Sequence, residues 1–297
     1  MSDNSKFTLQ NLFNVEDQVV VVTGGGTGIG LMIAQGFANN GARVYITSRR
    51  REVLEEVART WGSSLKHPKG ALIPIPCDVT DKTSIKALVK QISEKEDHVD
   101  CLVNNAGLQL QQTAVEMGDE SAEKLADALF NESQEDWEAV YRTNVIGYFF
   151  VASAFIPLLA AARKNVGGHE YRASIINITS MSGMTRVSQS QFHYNASKGA
   201  NIQLNNMLAQ ELRRDAVQIR VNSIAPGIFP SEMTTGESSQ GKSNIPTDSD
   251  WVKQNKPPAG RAGRDEDMAQ AAIMLAVNQY AFGQTLTIDG GWLLEHP

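Results

Sequence analysis

The chain has 297 residues, of which 41% are hydrophobic and 20% charged, and a net charge of −6 at neutral pH. That length can bury a sizeable core, and the composition is that of a globular protein. The acidic balance gives no reason to expect nucleic acid or an anionic membrane surface as a partner.

In chain order, strand-like and helix-like segments alternate. Residues 19–22 are four valines, a β-branched run suited to a strand covered on both faces. A turn follows, Thr23-Gly24-Gly25-Gly26-Thr27-Gly28-Ile29-Gly30, and then a helical pattern over 31–40. Residues 43–47 read as a second strand and 50–61 as a helix with Val53, Leu54 and Val57 facing inward. A third strand at 72–75, a helix at 84–96 and a fourth strand at 101–103 come next, the last closed by Asn104-Asn105-Ala106-Gly107.

Residues 145–162 contain no charge and approach the length of a membrane span. Pro157 in the interior, small residues at Ala152, Ser153 and Ala154, and the lack of a second such stretch argue instead for a helix buried on most sides and packed partly on another subunit. Beyond it lie a fifth strand (174–178), a helix (194–214), a sixth strand (218–224), a helix (266–276) and a final strand (285–288). This repeated order predicts an α/β fold: one domain over 1–297, a doubly wound parallel sheet with helices on both faces. Residues 1–14 are an N-terminal extension, and 229–258, rich in Ser, Thr, Gly, Lys and Pro, are expected to form a substrate lid.

Cys77 and Cys101 each end an apolar run and read as small core residues, with no disulfide framework or metal-ligand spacing. Residues 1–18 hold no signal-peptide core, so a reducing, cytoplasmic location is expected.

The glycine-rich turn is the first chemical signal. Between a strand and a helix it lets backbone N–H groups approach a pyrophosphate at the positive end of the helix. Its spacing, Gly24, Gly28 and Gly30, is TGxxxGxG rather than GxGxxG. About twenty residues on, a fold preferring NAD would place an acid. Here Thr47-Ser48 is followed by Arg49, Arg50 and Arg51. Ser48 and Arg49 suit a 2′-phosphate, which favours NADP(H) over NAD(H), whereas Arg50 and Arg51 are expected at the surface or rim. Tyr194 and Lys198, four residues apart on a helix, share a face. An ammonium beside a phenol favours the phenolate and lowers a pKa of about 10, making the hydroxyl usable as an acid or base.

Together with Cys77-Asp78-Val79, Asn104-Asn105-Ala106-Gly107, Asn144, Asn177-Ile178-Thr179-Ser180, Pro226-Gly227 and Asp289-Gly290-Gly291, these motifs make residues 15–292 resemble the short-chain dehydrogenase/reductase family. The wording at 226–234, PGIFPSEMT, resembles the branch of rhamnolipid-type 3-oxoacyl-[acyl-carrier-protein] reductases and related secondary-metabolite ketoreductases. The resemblance implies a Rossmann-like NAD(P)-dependent oxidoreductase that forms a homodimer or homotetramer. It also implies a catalytic set in which Tyr194 supplies a proton, Ser180 orients the substrate carbonyl, Lys198 lowers the tyrosine pKa and binds the nicotinamide ribose, and Asn144 fixes a water. Thr179 and Ser182 are neighbouring hydroxyls, and Ser180 is chosen because it ends the Asn-x-x-Ser motif.

For the cofactor the resemblance implies Gly24, Thr27, Gly28, Ile29 and Gly30 at the pyrophosphate and Ser48 and Arg49 at the adenosine end. Asp78 would accept from the adenine amino group with the Val79 backbone beside it. Asn104, Asn105, Ala106 and Gly107 would line the ribose and nicotinamide side, and Pro226, Gly227 and Ile228 the carboxamide. Ser231 stands where the family often has threonine, and Asp289 is given no chemistry. No metal is expected. Residues 108–134 and 229–258 would wall the substrate pocket, with Lys242, Lys253 and Lys256 read as solvated. The expected activity is NADPH-dependent reduction of a ketone to a secondary alcohol, on a small-molecule 3-oxoacyl or polyketide-like intermediate. The alternatives are an alcohol, sugar or steroid dehydrogenase, and a non-catalytic dinucleotide-binding scaffold or regulator. The intact Ser180, Tyr194, Lys198 and Asn144 argue against the last.

Overall fold

A run of four valines has no polar face, so the strand it forms must be covered on both sides. In the computed structural model, which describes residues 4–110, 112–113, 115, 121–166, 169–249, 252–253 and 257–297, that strand lies inside a seven-stranded sheet. Its strands are β1 (Val19–Thr23), β2 (Arg43–Thr47), β3 (Ala71–Pro74), β4 (Cys101–Asn104), β7 (Ser174–Ile178), β8 (Arg220–Pro226) and β9 (Thr285–Ile288). They run in the order β3-β2-β1-β4-β7-β8-β9, and every pairing is parallel. A short antiparallel hairpin, β5 (Lys164–Val166) with β6 (His169–Tyr171), precedes β7 and has no counterpart in the sequence reading.

The pleat divides the core. Val20 and Val22 face a cluster with Leu31, Phe37, Leu54, Val57, Ile176 and Met268, whereas Val19 and Val21 face one with Ile85, Leu88, Phe155, Ile175 and Leu208. The first face is covered by α2 (Gly28–Asn39), α3 (Arg51–Gly62) and α10 (Asp265–Val277). The second is covered by α4 (Lys82–Ser93), α7 (Tyr148–Ala161) and α8 (Phe192–Leu212). The chain also has α1 (Leu9–Leu12), α5 (Ala122–Phe130), α6 (Gln134–Tyr141), α9 (Glu232–Thr235) and α11 (Trp292–Glu295). This is the doubly wound architecture expected, and the strand order reverses between β1 and β4, where such sheets bind ligands at their carboxyl ends.

Boundaries shift where side chains decide them. α2 starts at Gly28 rather than at residue 31, because Thr27 takes the extended N-cap conformation inside the turn. α4 starts at Lys82, two residues earlier than the apolar pattern, because the Asp81 carboxylate accepts from the N–H groups of Thr83 and Ser84. The uncharged stretch joins α6 and α7 through a π-helical turn, Arg142–Gly147, into one helix long and apolar enough by composition to cross a membrane. In this fold its Val151, Ala152, Phe155 and Leu159 pack into the core. Ile146 and Phe149 stay 48% and 42% exposed.

Candidate active site

At the carboxyl ends of these strands lies a cavity of about 1250 Å³. Of the residues singled out from sequence, it is lined by Gly24, Thr27, Gly28, Ile29, Ser48, Arg49, Asp78, Val79, Asn105, Ala106, Gly107, Ser180, Tyr194, Lys198, Pro226, Gly227, Ile228 and Ser231. Gly30, Asn104 and Asn144 are not on its wall.

The glycine turn forms one end. The first N–H groups of α2 have no acceptor within their own helix; that of Gly28 is met by the Gly241 carbonyl, and the others sit at the positive helix end, the chemistry a pyrophosphate requires. Gly30 answers a different need: a Cβ there would lie 2.2 Å from the Gly24 carbonyl oxygen and 2.5 Å from Asn105 Nδ2. It is glycine so that α2 can close on the turn, and it lies behind the cavity wall. Asn105 braces the same turn through Nδ2, which donates to the carbonyls of Thr23 (2.9 Å) and Gly24 (3.2 Å). Thr23 Oγ1 accepts from the N–H groups of Asn105 and Ala106, tying β1 to β4. Asn104 points the other way. It is fully buried and donates to Asn177 Oδ1 (3.0 Å), whose own Nδ2 donates to Asn205 Oδ1 (3.0 Å). Its expected contact with a ribose is therefore replaced by a buried carboxamide chain.

At the adenosine end the structure brings in a residue assigned to the rim. Arg50 lines the cavity beside Ser48 and Arg49 and makes a two-pronged pair with Glu232. Arg51 does lie on the surface, 3.7 Å from Glu55 one helical turn on. Asp78 lines the cavity, with Oδ1 accepting from the N–H and hydroxyl of Thr80. Cys77 and Cys101 are free and buried. No group of His, Cys, Asp or Glu among the described residues is arranged to hold a metal.

The other end carries the acid/base residues. Tyr194 and Lys198 lie on the buried face of α8, 8% and 3% exposed. Lys198 Nζ donates to the Ile178 carbonyl at 2.9 Å and stands 5.7 Å from the ring centres of both Tyr194 and Tyr148. Burial pushes the lysine pKa down to about 7. Burial also pushes the Tyr194 phenol up to about 12, against a hydrogen bond with Ser180 that acts the other way. The expected lowering of the phenol thus does not arise from the chain's own groups. Desolvation of the phenol outweighs the Ser180 hydrogen bond.

Neighbouring hydroxyls are occupied. Thr179 Oγ1 donates to the Ile224 carbonyl (2.9 Å) and Ser182 Oγ to Gln189 Oε1 (2.7 Å). Ser180 Oγ accepts from the Ser182 N–H at 3.1 Å, is hydrogen-bonded with the Tyr194 phenol and lines the cavity. Gln189 and Ser190 hold φ of 54° and 55°, a strained pair at the cavity edge that sequence patterning does not reveal. Asn144 sits in the π-helical turn, a feature frequent at functional sites. Its Oδ1 accepts from the Leu108 N–H (2.8 Å), and its Nδ2 donates to the Leu108 carbonyl (3.0 Å) and Ser197 Oγ (3.0 Å). A point at the Cβ position of Gly107 would be 3.6 Å from Asn144 Oδ1 and 3.9 Å from Lys198 Nζ, so the two side chains flank that glycine.

The segment expected as a substrate lid also covers the pyrophosphate end. Ser239 to Lys242 form a tight turn with positive φ at Gln240 and Gly241, a type I′ geometry. The Gly241 carbonyl accepts from the Gly28 N–H (3.2 Å), and a Cβ on Gly241 would lie 2.6 Å from the Gly26 carbonyl oxygen. Trp61 Nε1 donates to the Gln240 carbonyl at 2.9 Å. Lys242 is not merely solvated: it pairs with Asp265 and lies 5.4 Å over the Trp61 ring. Lys253 is exposed, and Lys256 lies outside the described residues. Asn244, Ile245, Pro246 and Ser249 continue onto the cavity wall, as do Leu108, Gln109 and Gln112 from the first wall segment. Asp289 caps α11, accepting from the N–H groups of Gly291 and Leu293, and has no part in the cavity.

The family model described as short chain dehydrogenase matches residues 18–242. The chain is 34% identical over 290 residues to the short-chain dehydrogenase/reductase PhomF of Diaporthe leptostromiformis, covering 97% of this chain and 95% of that one. It is 34% identical over 284 residues to the rhamnolipids biosynthesis 3-oxoacyl-[acyl-carrier-protein] reductase of Pseudomonas aeruginosa, covering 95% and 98%. Among solved structures, the Pseudomonas aeruginosa RhlG/NADP active-site complex superimposes with a TM-score of 0.73 at 32% identity, covering 95% of this chain and 98% of that one.

Proposed function

The chain belongs to the short-chain dehydrogenase family, and from that premise we propose that it reduces a ketone to a secondary alcohol with NADPH, on a 3-oxoacyl or polyketide-like intermediate. One observation carries the reading. Ser180, Tyr194 and Lys198 line the same cavity as the glycine turn, so a dinucleotide along the turn ends beside an acid and a carbonyl-binding hydroxyl.

When bound, the reduced nicotinamide supplies the hydride. The chain's own residues answer the negative charge that builds on the carbonyl oxygen. Tyr194 donates its phenolic proton to that oxygen, and Ser180, whose neighbours Thr179 and Ser182 are engaged elsewhere, donates a hydrogen bond that fixes its position. Lys198 stabilises the phenolate left behind. Asn144 clamps the Leu108 backbone and Ser197 and so holds the floor beside Lys198.

NADP(H) is favoured because β2 is followed by Ser48, Arg49 and Arg50 on the cavity wall, with no carboxylate in that strand end. The NADP complex of the Pseudomonas aeruginosa relative supports this choice. The volume of the cavity, about 1250 Å³, and the apolar groups of Met181, Val187, Ile228, Met233 and Ile245 on its wall favour an acyl or polyketide-like substrate. The exposed Ile146 and Phe149, one helical turn apart, support association into a homo-oligomer.

The test is turnover of a panel of 3-oxoacyl thioesters, polyketide-like ketones and simple alcohols, followed at the nicotinamide absorbance with NADPH and NADH separately. Reduction of a 3-oxoacyl or polyketide-like ketone with NADPH is expected. Equal or better use of NADH overturns the cofactor choice, and turnover confined to alcohol oxidation overturns the reaction direction.

A further inference from the structure

Arg50 and Glu232 meet across the cavity from positions 182 residues apart. Both prongs of the guanidinium are used, Nη1 to Oε1 at 3.2 Å and Nη2 to Oε2 at 2.6 Å. Ser238 Oγ donates to the same carboxylate at 2.6 Å. The two side chains remain 53% and 31% exposed, and both residues line the cavity beside Ser48 and Arg49. A planar carboxylate gripped in this way occupies the donors that a guanidinium offers to a phosphate.

We infer that Glu232 is a cofactor-discriminating residue: its carboxylate competes with the 2′-phosphate of NADP(H) for Arg50, so NADP(H) must displace it and NAD(H) need not. This rests on the NADP(H) reading above. The physical reason is that a carboxylate and a phosphate at one guanidinium repel each other, so only one holds both prongs. A partly exposed ion pair contributes little in water, and the displacement is therefore open to a ligand that brings more negative charge. Glu232 then acts through Arg50 as a brake on 2′-phosphate binding, and it leaves the rest of the nucleotide untouched.

The experiment titrates the full chain with 2′,5′-ADP and with 5′-ADP by calorimetry, using wild type, Glu232→Gln, Arg50→Ala and the double variant. Glu232→Gln is expected to tighten 2′,5′-ADP by about two- to fivefold and to leave 5′-ADP unchanged. Arg50→Ala is expected to weaken 2′,5′-ADP alone, and adding Glu232→Gln to it to restore nothing. Glu232→Asp, which keeps the charge, serves as a second variant and is expected to stay near wild type. If Glu232→Gln leaves 2′,5′-ADP unchanged, weakens it, or tightens both nucleotides alike, the competition is overturned. Equal binding of the two nucleotides by wild type and by Glu232→Gln alike overturns the NADP(H) reading instead.

Discussion

Lys198 and Tyr148 share one acceptor: Nζ of the lysine and the phenol of the tyrosine both donate to the Ile178 carbonyl, at 2.9 Å and 3.1 Å. The tyrosine thereby competes for the group that stabilises the ammonium. Replacing Tyr148 by Phe leaves the carbonyl to Lys198 alone, which favours its charged form. The basic limb of the pH profile for ketone reduction is then expected to rise by on the order of half a pH unit, since a hydrogen bond contributes about 1 kcal/mol net. An unmoved limb in the rate profile would remove Tyr148 from this role.

Tyr194→Phe removes the proton donor and leaves the glycine turn and the adenosine end unchanged. Turnover is expected to fall by about a hundred- to ten-thousandfold while dinucleotide affinity stays close to wild type. Steady-state rates and a binding titration on the same preparation check both halves. Unchanged turnover would sink the assignment of the acid.

Gly26 and Gly30 stand in the same turn but face different surroundings. An alanine at 30 would put Cβ 2.2 Å from a carbonyl oxygen, whereas at 26 the nearest atoms are Leu54 Cδ2 and Val53 Cγ1, both at 3.3 Å. Gly30→Ala is expected to cost more than about 2 kcal/mol of folding stability and Gly26→Ala less than about 1 kcal/mol. Denaturant unfolding of the two variants makes the comparison.

A charged cluster sits at the opposite end of the sheet. His98 Nε2 lies 3.2 Å from Asp100 Oδ2, which also accepts from the Val19 N–H at 2.8 Å. The hydrogen bond with Asp100 raises the His98 pKa from 6.5 to about 9, against burial and with help from Asp97. A folded pKa raised above the unfolded one contributes stability fully below 6.5 and loses it as pH rises through about 9. Asp100 is opposed by burial but held below 3.8 by His98 and the Val19 N–H, so its contribution is lost as pH falls through the acid range. Melting temperatures of wild type and His98→Gln from about pH 6 to about 10 are expected to converge toward the alkaline end. A gap that stays constant across that range contradicts the assignment.

Ile146→Glu places a charge on the exposed apolar face that it shares with Phe149. If that face joins subunits, sedimentation of the variant is expected to shift toward monomer with the melting temperature lowered at low protein concentration. An unchanged sedimentation profile would move the contact elsewhere.

The parts legible in the sequence are those written in consecutive residues. The glycine turn, the Tyr194 and Lys198 pair and the Asn177 to Ser180 string are local patterns, and the alternation of valines and helical periods predicts the doubly wound sheet that is found. What was illegible joins distant elements. The pairing of Arg50 with Glu232, of Lys242 with Asp265 and of Tyr148 with the Ile178 carbonyl depends on where the sheet brings strand ends and loops, and no spacing encodes it. Gly30 shows a second limit, because a motif does not separate a glycine needed for a ligand from one needed for close packing. Tyr194 shows a third: proximity to a lysine is visible in the sequence, but the burial that raises the phenol is not.

The tight turn at 239–242 has a consequence in time. Its carbonyl at Gly241 holds the Gly28 N–H, and the turn is pinned on its outer side by Trp61 and by Asp265 through Lys242. A molecule lying along the glycine turn borders this clasp, so its escape is tied to the lifting of a small piece of backbone held at three points. The indole of Trp61, one of four tryptophans, donates to that backbone, so the part of the emission that Trp61→Phe removes is an optical reporter of the clasp.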